Sequence, residues 1–190
     1  MRLFLALDLD DSSRQAIGRE QARIRRTLKD GSPARWTALD QMHLTLVFIG
    51  QVDEPTAAAV AMDVSEPVRM HPFDLSFSGL GVFPPRGAPR ALWIGAGAGT
   101  QLVHELRDEL DARVRRRGVA LEERPFSPHL TIARWRSSVP SDRHRALSRA
   151  SDRTITHVRV DHASLYHSRV SSAGSTYAEL ARANLTGPRD

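Results

Sequence analysis

The chain has 190 residues, a length suited to one domain or to two small lobes that share a core. Its 41% hydrophobic and 26% charged content is typical of globular proteins and excludes a disordered chain. The absence of cysteine excludes disulfides, thiol catalysis and thiolate metal sites. No apolar run approaches the roughly 20 residues of a membrane span, and the first apolar stretch is too short for a signal peptide. We therefore expect a cytoplasmic, monomeric protein over residues 1–190 that does not bind membranes.

The charge of the chain is almost entirely arginine. Lysine and arginine total 27 against 22 acidic residues, a formal charge of +5, and Lys29 is the only lysine. Because the planar guanidinium matches phosphate oxygens, this composition is compatible with an anionic partner. A GC-rich genome produces the same arginine content, so charge alone leaves both interpretations open.

The first half of the chain predicts alternating strands and helices. Residues 3–9 form an apolar run typical of a strand buried on both faces. Residues 10–13 supply N-cap chemistry for a helix that extends to about Lys29, where Asp30 and Gly31 end it. The pattern then predicts a strand at 43–49, a helix at 55–68, and a hairpin of strands 73–83 and 90–95 around a turn at 84–87.

The second half repeats this order of elements. A helix begins near Thr100 and ends before Gly118, a strand covers 129–135, and a short helix covers about 141–149. Strands near 154–166 and 175–180 complete the chain. Because no Pro/Gly/Ser-rich linker separates the halves, we expect two lobes packed around one cleft.

One pattern occurs twice, as His43-Leu44-Thr45-Leu46 and His129-Leu130-Thr131-Ile132. Side chains alternate along a strand, so the histidine and threonine of each motif share one face. Strict alternation places Phe48 on the opposite, apolar face, with Leu44 and Leu46. Two such strands, one from each lobe, aim two imidazoles and two hydroxyls at one point.

Chemistry at phosphorus makes use of that arrangement. Hydrolysis of a cyclic phosphodiester needs a base for water and an acid for the departing ribose oxygen. A histidine pKa of about 6.5 allows one imidazole to be neutral and its partner protonated near neutral pH. The hydroxyls donate hydrogen bonds to the non-bridging oxygens as charge builds. This chemistry requires no metal, and we expect no metal or other cofactor.

For the two motifs and for two other features, an ordinary structural interpretation competes with a functional one. A single His-x-Thr is most often an ordinary strand, whereas two copies with matched parity favour function. The glycines of residues 95–99 lack the G-x-G-x-x-G spacing of a dinucleotide loop, which favours a simple turn. Histidines 157, 162 and 167 alternate faces on a strand, so they cannot form one metal site there.

The two motifs and their flanks resemble the bacterial RNA 2′,3′-cyclic phosphodiesterases, also described as 2′-5′ RNA ligases, of the two-histidine phosphoesterases. The resemblance covers nearly the whole chain. It rests on residues 2–8, Trp36, residues 43–50, residues 92–95, residues 126–134, residues 164–168, Gly174 and Tyr177.

This resemblance implies a bilobal α+β fold with pseudo-twofold symmetry, an antiparallel sheet with flanking helices in each lobe, and an active-site cleft between the lobes. It implies that His43 is the proton donor and His129 the proton acceptor for RNA ends that carry a 2′,3′-cyclic phosphate. Thr45 and Thr131 are the matching motif threonines, and Arg134 matches an arginine that contacts phosphate.

Strand parity places Arg134 opposite His129 and Thr131, so a contact with phosphate requires a bulge at the end of that strand, and a structural ion pair is the alternative. Three functions remain in view. The first is opening of cyclic phosphate ends to 2′-phosphomonoesters, and the second is the reverse 2′-5′ joining reaction. The third is a nucleotide- or RNA-binding domain without turnover, against which both intact motifs argue.

Overall fold

In the computed structural model, residues 1–28, 33–148, 150–171 and 174–187 are described. They form four α-helices and nine strands. The helices are α1 (Asp11–Arg25), α2 (Glu54–Ser65), α3 (Thr100–Arg115) and α4 (Pro140–Leu147). The strands are β1 (Arg2–Leu7), β2 (Ala34–Trp36), β3 (Leu44–Gln51), β4 (Phe73–Phe83), β5 (Ala91–Ala96), β6 (His129–Trp135), β7 (Thr154–Val160), β8 (His162–Ser171) and β9 (Gly174–Asn184).

The strands form two antiparallel sheets, which confirms the predicted α+β class. One sheet has the order β3-β1-β8-β9, and the other has the order β2-β6-β5-β4-β7. Each sheet combines strands from both halves of the sequence, so the lobes are interleaved and do not coincide with the sequence halves. His43 directly precedes β3, which carries the rest of the first motif, and the second motif lies on β6. These two strands contact each other.

Polar side chains fix the helix ends, and the sequence predicted the first of these caps. Asp10 caps α1 by accepting a hydrogen bond from the Ser13 backbone N–H at 2.8 Å. Asp53 caps α2 in the same way. Buried Arg113 of α3 donates to the carbonyls of Asp63, Glu66 and Pro67, which satisfies backbone oxygens at the end of α2.

Several predicted helix ends fall on residues that are not described, whereas the turn at residues 95–99 is described. The first helix is shorter than predicted, since α1 ends at Arg25 and residues 26–28 are not helical, and the predicted end positions Lys29, Asp30, Gly31 and Arg149 lie outside the described residues. Gly99 connects β5 to α3 with φ of +90°, and a Cβ atom there would lie 2.5 Å from the Asp74 carbonyl oxygen. Within the described residues no helix is long and apolar enough to cross a bilayer.

The predicted strand at 154–166 is in fact two strands in different sheets. β7 pairs with β4, whereas β8 pairs with β1 and β9, and the chain changes sheet at Asp161. The buried hydrophobic positions switch from the even numbers Val158 and Val160 to the odd numbers Ala163 and Leu165. The continuous apolar pattern concealed this crossover because each strand alone alternates correctly.

The predicted position of Phe48 on the buried face is wrong, because β3 contains a bulge directly after the motif threonine. Thr45 faces Ala6 and Val47 faces Leu5 on β1, which leaves Leu46 without a partner. The extra residue shifts the alternation by one. Phe48 is therefore 66% exposed, on the same face as Thr45.

The second motif has a bulge at the matching place. Thr131 faces Trp93 and Ala133 faces Leu92, so Ile132 has no partner on β5. Ile132 and Ala133 are both buried, and Arg134 becomes exposed three residues after Thr131. Arg134 could share a face with Thr131 only if β6 contained such a bulge, and it does. Arg134 therefore occupies the position in β6 that Phe48 occupies in β3.

Candidate active site

A cleft of about 1070 Å³ lies between the two motif strands. All five candidate side chains of the sequence line it: His43, Thr45, His129, Thr131 and Arg134. Four arginines and two carboxylates belong to its walls, so the cleft is cationic. These charged residues are Arg2, Arg107, Arg124, Arg134, Asp111 and Glu122.

The two imidazoles are held by equivalent backbone contacts. His43 donates its Nδ1–H to the Gln41 carbonyl at 2.9 Å, and His129 donates its Nδ1–H to the Ser127 carbonyl at 2.6 Å. Because a carbonyl only accepts, both contacts assign the proton of the neutral ring to Nδ1. Each Nε2 is then available to accept a proton, or to donate one when the ring is charged.

Aromatic rings enclose His43. Phe4 stacks on the imidazole with a centroid distance of 4.8 Å, and Tyr177 meets it edge-on at 5.2 Å. This burial lowers the pKa of His43 below its ordinary value. The Gln41 carbonyl and the negative charge of Asp8 act in the opposite direction, while Arg134 lowers the pKa further.

His129 is also surrounded by aromatic rings, but no carboxylate acts on it. Phe83 contacts the ring edge-on at 5.1 Å, and Trp93 lies 6.0 Å away between centroids. Burial again lowers the pKa, the Ser127 carbonyl raises it, and Arg134 lowers it. In contrast to His43, no carboxylate contributes to the shift of His129, so the two imidazoles differ in the charge that faces them.

Arg134 reaches the cleft without a competing carboxylate. In the described part of the chain it takes part in no ion pair, which removes the structural alternative predicted for it. Its guanidinium lowers the pKa of both histidines. The Arg134 guanidinium is therefore an unneutralised cation whose charge acts on both imidazoles.

Asp8 belongs to a polar network that pattern analysis missed. Tyr166 donates to its Oδ1 at 2.7 Å and Ser164 to its Oδ2 at 2.9 Å, while His162 Nε2 lies 3.7 Å from Oδ2. Burial raises the pKa of Asp8, but the nearby His162 and the hydrogen bonds from Tyr166 and Ser164 outweigh it and lower the pKa overall. Phe4 stacks on both His43 and Tyr166, and Tyr166 in turn holds the charged carboxylate of Asp8.

Gln41 and Ser127 were also missed, because both orient the imidazoles through main-chain oxygens that any residue supplies. The only available signal was their equal position, two residues before each motif histidine. The prediction that histidines 157, 162 and 167 share one strand is wrong, since His157 lies on β7 and the other two lie on β8 in the other sheet.

Solved structures with the same fold include that of Escherichia coli LigT complexed with 3′-AMP. It superimposes with a TM-score of 0.76 over 97% of this chain and 98% of that chain, at 26% identity. The two antiparallel sheets around one cleft are thus the fold of the LigT-like phosphoesterases.

The sequence comparisons agree with the fold. A model of the 2′-5′ RNA ligase superfamily matches residues 11–171. A Thermotoga maritima protein named RNA 2′,3′-cyclic phosphodiesterase is 30% identical over 188 residues, which cover 98% of this chain and 97% of that protein. An Archaeoglobus fulgidus protein of the same name is 35% identical over 74% of this chain and 76% of its own length. The chain belongs to the 2′-5′ RNA ligase superfamily, and the resemblance found in the sequence is confirmed.

Proposed function

We propose that the chain hydrolyses RNA ends that carry a 2′,3′-cyclic phosphate and releases 2′-phosphomonoesters. The main support is that two imidazoles lie in one cleft. In each of them Nδ1 is held by a backbone carbonyl, so Nε2 is available to a ligand. The names of its relatives support the same substrate class. A domain that only binds RNA would not need this matched pair of proton carriers.

In the proposed reaction, His129 is the base and His43 is the acid. His129 Nε2 takes a proton from water, and the water oxygen forms a bond to phosphorus. The bond from phosphorus to O3′ breaks in line with the attack, and O3′ takes a proton from His43 Nε2. One water is consumed, and the phosphate stays on the 2′ oxygen.

The charges around the two rings support this direction. Asp8 favours the protonated form of His43, and no carboxylate does so for His129. An acid needs its proton before the reaction, whereas a base must be neutral, so His43 is better suited to be the acid. Thr45, Thr131 and Arg134 supply donors for the non-bridging oxygens as negative charge develops there.

The test is turnover of an oligonucleotide with a 2′,3′-cyclic phosphate end, followed by phosphorus NMR of the product with EDTA present. We expect a 2′-monophosphate from the purified chain, and from a His157→Ala control, whose exposed imidazole lies on β7. A 3′-monophosphate would refute the assignment of acid and base. No hydrolysis would refute the proposed function, and added 5′-hydroxyl ends in the same mixture measure the 2′-5′ joining reaction, in which that hydroxyl takes the place of water.

A further inference from the structure

A second cavity, of about 520 Å³, lies outside the catalytic cleft and shares no lining residue with it. Helix α1, strands β4 and β7 and the segment that leads into β7 form its walls. We call it the arginine pocket, because four arginines line it: Arg19, Arg23, Arg26 and Arg153. The chain therefore has a second concentration of positive charge in addition to that of the cleft.

The positive charge of the arginine pocket is not neutralised by its own walls. Of the described residues that line it, Glu20 alone is acidic, and it accepts hydrogen bonds from Arg23. Arg19, Arg26 and Arg153 are exposed, and they take part in no ion pair within the described part of the chain. Like charges repel one another, and an anion from outside relieves that repulsion. The pocket is therefore suited to an anionic ligand.

The arginines along α1 form a row, which suits a chain of phosphates better than a single one. Arg19, Arg23 and Arg26 follow one another at intervals of four and three residues, so they share one face of the helix. At about 1.5 Å per residue the row extends about 10 Å. The phosphates of one nucleic-acid strand recur about every 3.4 Å along its helix axis, so the row matches several in succession. Ser151 and Thr154 line the same pocket with hydroxyls, which also contact phosphate and sugar oxygens.

We propose that the arginine pocket binds the phosphate backbone of the RNA substrate, several nucleotides away from the cyclic end in the cleft. The inference rests on the proposed phosphodiesterase function. In the sheet, β5 and β4 separate the motif strand β6 from β7, so β7 lies about 14 Å from β6 at a strand spacing of about 4.8 Å. A mononucleotide in the cleft does not span that distance, whereas an oligonucleotide does. Because contacts with phosphate carry no sequence information, the pocket favours long substrates without selecting their sequence.

The experiment uses the triple variant Arg19→Gln/Arg26→Gln/Arg153→Gln. Fluorescence anisotropy measures the Kd of a labelled single-stranded RNA with a 2′-monophosphate end at several salt concentrations. Each phosphate contact contributes about 0.7 to the slope of log Kd against log salt, so the variant is expected to lower that slope by about 2. Between about 50 and 200 mM salt, wild-type binding then weakens about 20-fold more than variant binding. The kcat/KM of the variant falls for an oligonucleotide with a cyclic phosphate end and stays at the wild-type value for adenosine 2′,3′-cyclic phosphate.

The matched control is Arg25→Gln/Arg69→Gln/Arg116→Gln, which removes the same charge from exposed arginines outside both cavities. It keeps the wild-type salt slope, and circular dichroism confirms that each variant is folded. Equal effects of the two triple variants would assign the binding to net charge and overturn the inference, as would an unchanged slope in the pocket variant. Slower turnover of the mononucleotide by the pocket variant would show a structural role and overturn it as well. If the wild-type chain hydrolyses neither substrate, the proposed function fails, while the anisotropy measurements still decide whether the pocket binds RNA.

Discussion

The imidazole of His43 stacks on Phe4, with ring centroids 4.8 Å apart and planes inclined by 30°. This packing removes water from the charged form of the imidazole and lowers its pKa, as burial also does for His129. Both rings are therefore neutral in the free protein near neutral pH. We expect a bound phosphate anion to favour the imidazolium and to raise both pKa values in the complex, because opposite charges attract.

The first prediction rests on this difference between the free and bound states. The pH profile of kcat/KM reports the free protein, and that of kcat reports the complex. We expect bell-shaped profiles with the kcat/KM optimum below about pH 6.5, the unperturbed histidine value, and the kcat optimum at higher pH. Identical optima in initial-rate measurements would contradict the expected rise of the pKa values on binding, and flat profiles from about pH 5 to 9 would contradict a two-histidine mechanism.

Two substitutions are expected to shift the acidic and basic limbs of the pH–rate profile differently. Asp8→Asn removes the negative charge that raises the pKa of His43, so the limb that belongs to the acid moves to lower pH. Arg134→Gln removes the positive charge that lowers both pKa values, so both limbs move to higher pH. Shifts in the same direction for both variants would show that these charges do not control the imidazoles.

A second prediction concerns the two proton carriers themselves. His43→Ala and His129→Ala each remove one partner of a concerted transfer, and each is expected to lower kcat about 10²–10⁴-fold. The double variant is expected to be little slower than either single variant, because the pair acts as a unit. His157→Ala serves as the control for histidine loss. Near-wild-type kcat for either motif variant would exclude that residue from the chemistry.

The sequence predicts the motif strands well as far as the threonines, but not the residues beyond them. His43, Thr45, His129 and Thr131 share the cleft because period-two alternation holds up to that point. Alternation then fails at each bulge, since register depends on the partner strand. A bulge can be inferred from adjacent apolar residues only when two copies are compared, as in Leu-Val after Thr45 and Ile-Ala after Thr131.

Long-range pairing was equally out of reach. The crossover at Asp161 depends on β7 finding β4 while β8 finds β1, and no local pattern encodes those partners. Asp8 likewise comes to stand behind His43 only through the pairing of β1 with β3 and β8. Local propensity and alternation therefore predicted the elements, and tertiary pairing decided the surroundings of the site.

A third prediction concerns stability and His162. Its ion pair with Asp8 at 3.7 Å, opposed by burial and aided by the hydrogen bond with Asp161, raises the pKa of His162 in the folded state. Protonated His162 thus stabilises the fold below its unfolded pKa of about 6.5, and this contribution disappears as pH rises through the higher folded value. We expect His162→Gln to lower the free energy of unfolding more at about pH 5.5 than at about pH 8.5, measured by urea denaturation.

The wild-type chain alone cannot test this point, because His43 and His129 titrate in the opposite sense. Their lowered pKa values mean that the unfolded chain binds more protons just below pH 6.5, which destabilises the fold as pH falls. Subtracting the His162→Gln values from wild type at each pH cancels these shared terms. A difference that does not change with pH would refute the ion pair between His162 and Asp8.

A fourth prediction concerns Gly81, which faces the indole of Trp93 on the neighbouring strand. A Cβ atom at Gly81 would lie 2.0 Å from that ring, so Gly81→Ala forces Trp93 towards Phe83 and His129. We expect a stability loss of about 1–3 kcal/mol by urea denaturation, with a lower kcat/KM. Adding Trp93→Leu makes room and restores part of the stability lost in Gly81→Ala. A double variant whose losses simply add would show that the clash is not the cause.

The last prediction concerns the hydroxyls of Thr45 and Thr131. Each lies two residues after its histidine and faces the same cleft, the first opposite Ala6 and the second opposite Trp93. If they donate to the non-bridging oxygens, replacing either with valine removes one donor while it keeps the side-chain shape. A preorganised oxyanion donor is worth about 10²–10³-fold in kcat, and a rotatable hydroxyl is worth less.

Serine variants at the same two positions separate the hydroxyl from the methyl group. Thr45→Ser and Thr131→Ser keep the donor, so we expect kcat near wild type, while each valine variant is slower by up to about 10²-fold. The decrease belongs in kcat more than in KM, because the hydrogen bonds strengthen as charge develops on phosphorus. Single-turnover rates on a cyclic-phosphate-ended oligonucleotide measure this step directly. Serine variants as slow as the valine variants would assign the threonines to packing of β3 and β6 and leave Arg134 as the main contact of the phosphate.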